Sequence, residues 1–254
     1  MTQQSPAAPG RRSPLMVVGA VIALVVIAGT VFGLWYLFFR PAGPAAVADA
    51  TLPPVPSATA GATIKPLGSG GIDGTWNVDT SIGSFSDFSD SFVGYRVQEQ
   101  LAGIGANTAV GRTPNVSGTL TISGTTVSAV SISADLTTLA SDDPLRDGQL
   151  RDHAIQTSQF PTATFTLTTP IDLGSVPTDG KEIDVTASGT LTLHGVTKDV
   201  QIALKAKLSG SVVVVTGSLP IAFADYGIEK PTSFKVLSVD DNGTMEFQLF
   251  FTHA

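Results

Sequence analysis

The chain has 254 residues, 43% of them hydrophobic, which allows one domain with a substantial core beside a terminal segment. It has no cysteine, which excludes disulfides, thiolate chemistry and the acylated cysteine of a lipoprotein. A formal net charge of -7, with no long run of like charge, disfavours nucleic acid, whose phosphates require a basic face.

Residues 15–39, LMVVGAVIALVVIAGTVFGLWYLFF, form an uncharged apolar run long enough to cross a bilayer core of roughly 30 Å. Arg11 and Arg12 precede the run and only Arg40 lies close behind it, so the charge asymmetry keeps residues 1–14 in the cytoplasm and exports the rest. Ala46-Val47-Ala48 and Ala48-Asp49-Ala50 have the small-x-small form of a signal-peptidase site. The run, however, exceeds the roughly 7 to 15 residues of a secretory h-region, which favours an uncleaved signal anchor over a cleaved signal peptide. Residues 40–71, rich in Ala, Pro and Gly without apolar period, read as a disordered extracytoplasmic linker, with polyproline character around Pro53, Pro54 and Pro56.

From residue 72 to the end, apolar and small polar residues alternate with period two, the pattern of strands with two distinct faces. Strands are expected near 75–79 and 92–100, and over 118–123, 126–136, 163–168, 183–193, 200–208, 211–219 and 244–252, rich in Thr, Val and Ile. Ser123-Gly124-Thr125, Ser209-Gly210-Ser211 and Asp240-Asp241-Asn242-Gly243 suit antiparallel hairpins. At least eight strands so joined, with Leu120, Ile122, Val185, Leu191, Leu193, Ile202 and Leu204 inward, make an antiparallel closed barrel or a sandwich. Residues 142–153 break the pattern. Asp143 followed by Pro144 is a helix-start signature, and a short helix there caps one barrel end before Phe160-Pro161.

Chemistry-bearing motifs are sparse. His153, His194 and His253 lack metal-site spacing; His194, in a turn, is expected to bond local groups, and His253 to sit at a frayed end. No Gly-x-Ser-x-Gly elbow occurs, and a catalytic role is not expected. Gly103-Ile104-Gly105 lacks the third glycine and the strand-helix context of a dinucleotide loop, and Asp240-Asp241-Asn242-Gly243 lacks the spacing of a calcium loop. Neither a cofactor nor a metal is expected. The domain's aromatics are mostly core, although a barrel of about eight strands can also hold one elongated ligand.

Several segments resemble the YceI-like family. Residues 191–200, LTLHGVTKDV, are similar to its most distinctive stretch; Arg146-Asp147 to Leu150 and residues 160–165, FPTATF, resemble its helix and following strand. Residues 75–79, TWNVD, resemble its opening strand, and Asp225-Tyr226-Gly227-Ile228 its Asp-aromatic-Gly-Ile turn. Residues 94–113 look like the version found in high-GC Gram-positive bacteria. Ile82-Gly83 stand where the family commonly has His-Ser, and Phe223 or Ala224 where it commonly has Arg. The resemblance implies an all-β, lipocalin-like antiparallel barrel of about eight strands with a short capping helix, here preceded by one transmembrane helix. It implies an apolar tunnel for an isoprenoid or other long-chain lipid, such as a polyprenyl or quinone-type molecule.

The expectation is therefore a membrane-tethered, extracytoplasmic lipid binder, with Phe92, Tyr95, Phe160, Phe165, Phe223 and Tyr226 as candidate pocket residues. The alternative is a structural or adhesive surface module with a filled barrel.

Overall fold

The structure, a computed structural model, describes residues 23–31, 44–47, 52–55, 67, 71–231 and 236–254. The chain divides into two units, Met1–Ala42 and Gly43–Ala254. In the first, residues 23–31 form a helix, α1, with exposed apolar side chains such as Leu24 and Val25. No helix among the described residues is long and apolar enough to cross a membrane; the remainder of the expected span, 15–22 and 32–39, lies outside them, as do residues 1–14.

The described part of the second unit is all-β. Its strands are β1 (Gly74–Val78), β2 (Phe92–Leu101), β3 (Gly105–Thr113), β4 (Val116–Ser123), β5 (Thr126–Asp135), β6 (Ala140–Ser141) and β7 (Thr162–Leu167). They continue with β8 (Ile171–Asp172), β9 (Glu182–Leu193), β10 (Val196–Ser209), β11 (Val212–Ala222), β12 (Val236–Val239) and β13 (Asn242–His253). The pairing order β1-β4-β5-β7-β9-β10-β11-β13 returns to β1, so eight antiparallel strands close on themselves and leave no barrel edge. β13 is shared along its length. Phe251 to His253 pair with β1, whereas Thr244 to Gln248 pair with β2, which carries β3 and β6 beyond it.

Local chemistry explains one of the two-residue connections. His194 and Gly195 join β9 to β10 with φ of 51° and 73°, both left-handed, which matches the twist of a two-residue hairpin. The 240–243 stretch is not the expected hairpin. β12 and β13 both run along β2, in register with Glu99 and with Arg96, and the Asp240 amide donates to the Gln98 carbonyl between them. This is one strand interrupted at Asp240-Asp241. β3 was not expected at all, because GANTAVGRT has too many small residues to show alternation.

The helix starts as expected. Asp143 caps α2 (Pro144–Gln149), accepting hydrogen bonds from the amides of Leu145 and Arg146, and a π-turn, Leu150–Ala154, continues it. Leu136, Leu139, Leu150 and Ile155 seal this end of the barrel against Tyr95 and Leu193.

The outer wall is partly covered as well. The loop 79–91 lies over β13: the Ser91 hydroxyl donates to Asp79 O and accepts from Phe250 N, and Gln248 Nε2 donates to Asp90 O at 2.8 Å. Disorder was expected throughout 40–71, yet residues 44–47 and 52–55 pack onto this wall, with Val47 and Leu52 only 6% and 3% exposed. Their backbone carbonyls meet arginines and a lysine, and Leu52 and Val55 enter an apolar hollow, a pattern that composition does not display. His253 likewise belongs to β13, edge-on to Trp76, with Nε2 2.9 Å from Asp73 O, so the C-terminal end is not frayed there.

Candidate functional site

Alternation along each strand sends one row of side chains into the barrel, and those rows are almost wholly apolar. On β13, Met245, Phe247, Leu249 and Phe251 face inward; on β11, Val213 and Val215 do. The lumen they enclose holds two cavities. One, of about 150 Å³, is bounded by Ile122, Val130, Phe165, Leu191, Val215 and Phe247 and presents no polar surface. The other, of about 130 Å³, lies toward α2, between Tyr95, Leu136, Leu150, Leu193 and Phe223. Val93, Ala163 and Met245 belong to the walls of both, so the two are adjoining parts of one apolar lumen.

Glycines keep this lumen open. A Cβ on Gly217 would lie 2.6 Å from the Phe247 ring, one on Gly111 2.3 Å from the Tyr95 ring, and one on Gly189 2.6 Å from the Phe165 ring. Each ring therefore lies back over a glycine of the neighbouring strand instead of crossing the barrel.

Polar groups gather at the α2 end. Arg146 Nη2 donates to Glu99 Oε1 at 2.6 Å and Nη1 to Asp142 Oδ1 at 2.6 Å, while Asn107 Nδ2 also donates to Glu99. Burial opposes the Arg146 charge, but Glu99 and Asp142 outweigh it and raise its pKa, so the guanidinium stays charged and paired. The Tyr95 hydroxyl is sealed from solvent, and burial raises its pKa, keeping it neutral. Among the described residues no cluster of three His, Asp or Glu side chains is placed to hold a metal ion.

The six expected pocket residues separate. Phe165 lines the first cavity, and Tyr95 and Phe223 the second. Phe92, Phe160 and Tyr226 line neither. Phe92 shares a register position with Gln248 on the outer face, buried beneath Phe88 with the Arg112 guanidinium 4.1 Å from its ring centre. It is out because its neighbour Val93 is in. Phe160 clamps the β9–β10 hairpin, edge-on to His194 at 4.5 Å and over Gly195. Tyr226 packs on Leu191 and Ile221 in the turn Phe223–Tyr226, and its carbonyl accepts from His194 Nδ1 at 2.9 Å. His194 thus bonds local backbone, as its turn position suggests.

Sequence reasoning missed the Glu99–Arg146 pair and an outer-wall cluster of Arg96, Arg112 and Glu246. Glu246 is 1% exposed, with Arg112 Nη2 at 2.7 Å and Arg96 Nε at 3.4 Å. Its place in the alternating run MEFQLFF marks it as outward, which ordinarily means solvated, so nothing in the pattern announces its burial.

Comparison with known proteins agrees with this architecture. Residues 76–251 match the family model described as the YceI-like domain. Protein YceI of Escherichia coli O157:H7 is 36% identical over 123 residues, 47% of this chain and 57% of that protein. The chain therefore matches little more than half the length of that relative. Protein YceI of Salmonella arizonae is 30% identical over 165 residues, 64% of this chain and 79% of that protein. Among solved structures, a polyisoprenoid binding domain from Saccharophagus degradans superposes with a TM-score of 0.54 at 23% identity, covering 70% of this chain and 98% of that one. The last likeness is one of fold.

Proposed function

The chain belongs to the YceI-like family, and we propose from this that it is an extracytoplasmic protein, tethered to the membrane by residues 15–39, which binds an isoprenoid or similar long-chain lipid in its barrel. The observation that carries the reading is the lumen itself: two adjoining cavities with apolar walls, shared at Val93, Ala163 and Met245. Burying hydrocarbon yields about 0.8 kcal/mol per methylene, so a polyprenyl tail needs few hydrogen bonds to be retained there. The polyisoprenoid-binding character of the Saccharophagus degradans domain supports this ligand class. At the α2 end of the lumen Glu99 and Arg146 are spent on each other and Lys230 on Asp241, and the first cavity presents no polar surface, which supports binding over catalysis.

Native mass spectrometry with organic extraction tests the reading on the full chain purified from a bacterium that makes long isoprenoids. A stoichiometric co-purified polyprenyl or quinone lipid is the expected result. A chain that emerges empty and also refuses added geranylgeraniol and isoprenoid quinone overturns it and leaves a filled structural module.

A further inference from the structure

We propose that residues 44–47 and 52–55 are a releasable latch on the outer barrel wall, which sets how far the barrel can stand from the anchored end of the chain. This rests on the tether reading above.

The wall offers these residues a built peptide site. Glu246 lies between two arginines: Oε1 takes Arg112, and Oε2 takes Arg96 Nε and, at 3.2 Å, the Val47 amide. The same arginines reach main-chain oxygens, Arg96 Nη2 donating to Pro44 O at 2.6 Å and Arg112 Nη2 to Ala45 O at 3.4 Å. Backbone donors and acceptors are thus both matched, by side chains of the wall. The second foothold is apolar. Leu52 enters a hollow of Ile82, Val212, Val214 and Phe250 with Val55 beside it, and Lys207 Nζ donates to its carbonyl.

Two properties make the contact releasable. First, when the segment lifts, Glu246 keeps both arginines and water replaces the backbone groups at the surface, so no charge is stranded. Second, two buried aliphatic side chains and a few hydrogen bonds are of the same order as the conformational entropy lost on ordering these residues. The equilibrium therefore lies near balance, where a modest perturbation shifts it.

Chain length turns docking into reach. With Pro44 held at the wall, only residues 40–43 separate the expected anchor from the barrel, a span of about 14 Å at most. With both footholds free, residues 40–71 can extend to roughly 110 Å. The docked state holds the barrel near a bilayer that supplies lipid, and the released state lets it travel.

The test uses the full chain in phosphatidylglycerol vesicles carrying an acceptor dye at the headgroups, with a donor on Gln201→Cys, the sequence being otherwise free of cysteine. Energy transfer is compared between this chain and one also bearing Val47→Asp and Leu52→Asp, which place charge against Glu246 and in the apolar hollow without altering the barrel. Hydrogen exchange at residue 47 is followed in both. The latch predicts a protected Val47 amide and short donor-to-bilayer distances in the parent, and lost protection with distances longer by tens of Å in the variant. Equal distances, or a Val47 amide exchanging at the free-peptide rate in the parent, overturn the latch while leaving the tether. A chain that does not insert in vesicles overturns the tether reading, and the latch as a control of reach falls with it.

Discussion

Phe92 and Phe165 are both phenylalanines on barrel strands, yet they answer different questions. Phe165 faces the lumen, so Phe165→Ala is expected to change lipid retention more than folding. Phe92 fills the outer wall beneath Phe88, and Phe92→Ala is expected to cost about 3 to 5 kcal/mol of stability with lipid binding intact. Denaturant unfolding alongside a lipid-uptake assay separates the two. Glu246 is a second outer-wall anchor: Glu246→Ala leaves Arg112 buried without its partner and is expected to destabilise the domain by about 3 to 5 kcal/mol. Asp90, 4% exposed with Oδ1 lacking a partner, behaves in the opposite sense. Burial, aided by Asp87 and opposed by its backbone hydrogen bond and Arg112, raises its pKa from 3.8 to about 6. The folded state therefore holds this proton more tightly than the unfolded one, and stability falls as pH rises between 3.8 and about 6. Asp90→Asn should flatten that part of the pH–stability curve and stabilise the protein at neutral pH; an unchanged curve would remove Asp90 as its source.

Each strand carries a decision about phase, and here the limits of sequence reading become concrete. The seven residues read as inward, from Leu120 to Leu204, all border the lumen, because their strands alternate apolar with Thr, Ser or Lys. On β2 the phase is ambiguous: FVGYRVQEQL has apolar residues at both of its first positions, and only the cover supplied by Phe88 and Arg112 makes the outer one a buried Phe. The capping helix was legible from Asp143-Pro144, whereas its tie to β2 through Arg146 and Glu99 depends on a long-range approach that local pattern does not encode. Asp143→Ala should cost about 1 kcal/mol, read as a lower melting temperature. On β11, Gly217→Ala would press on the Phe247 ring and Leu204 and drive them into the lumen. It should reduce lipid capacity at a stability cost of about 1 to 3 kcal/mol. Undiminished uptake would show that these side chains do not border the ligand.

The second unit is built on a closed eight-stranded barrel whose inner and outer faces both bury apolar residues, for different ends. Inside, Trp76, Leu120 and Leu249 pack one end while the remaining lumen stays open; outside, Val212, Val214 and Phe250 receive the loop 79–91 and the residues before the barrel. β11 displays the division within four residues, since Val213 and Val215 point to the lumen and Val212 and Val214 to the outer wall. That alternation makes the central claim directly measurable. Isotope-filtered NOE spectra of the methyl-labelled protein with unlabelled geranylgeraniol should show contacts from the ligand tail to Val213 and Val215 and none to Val212 and Val214. Contacts confined to Val212 and Val214, or none to any of the four with the ligand bound, would contradict a lipid held within the barrel.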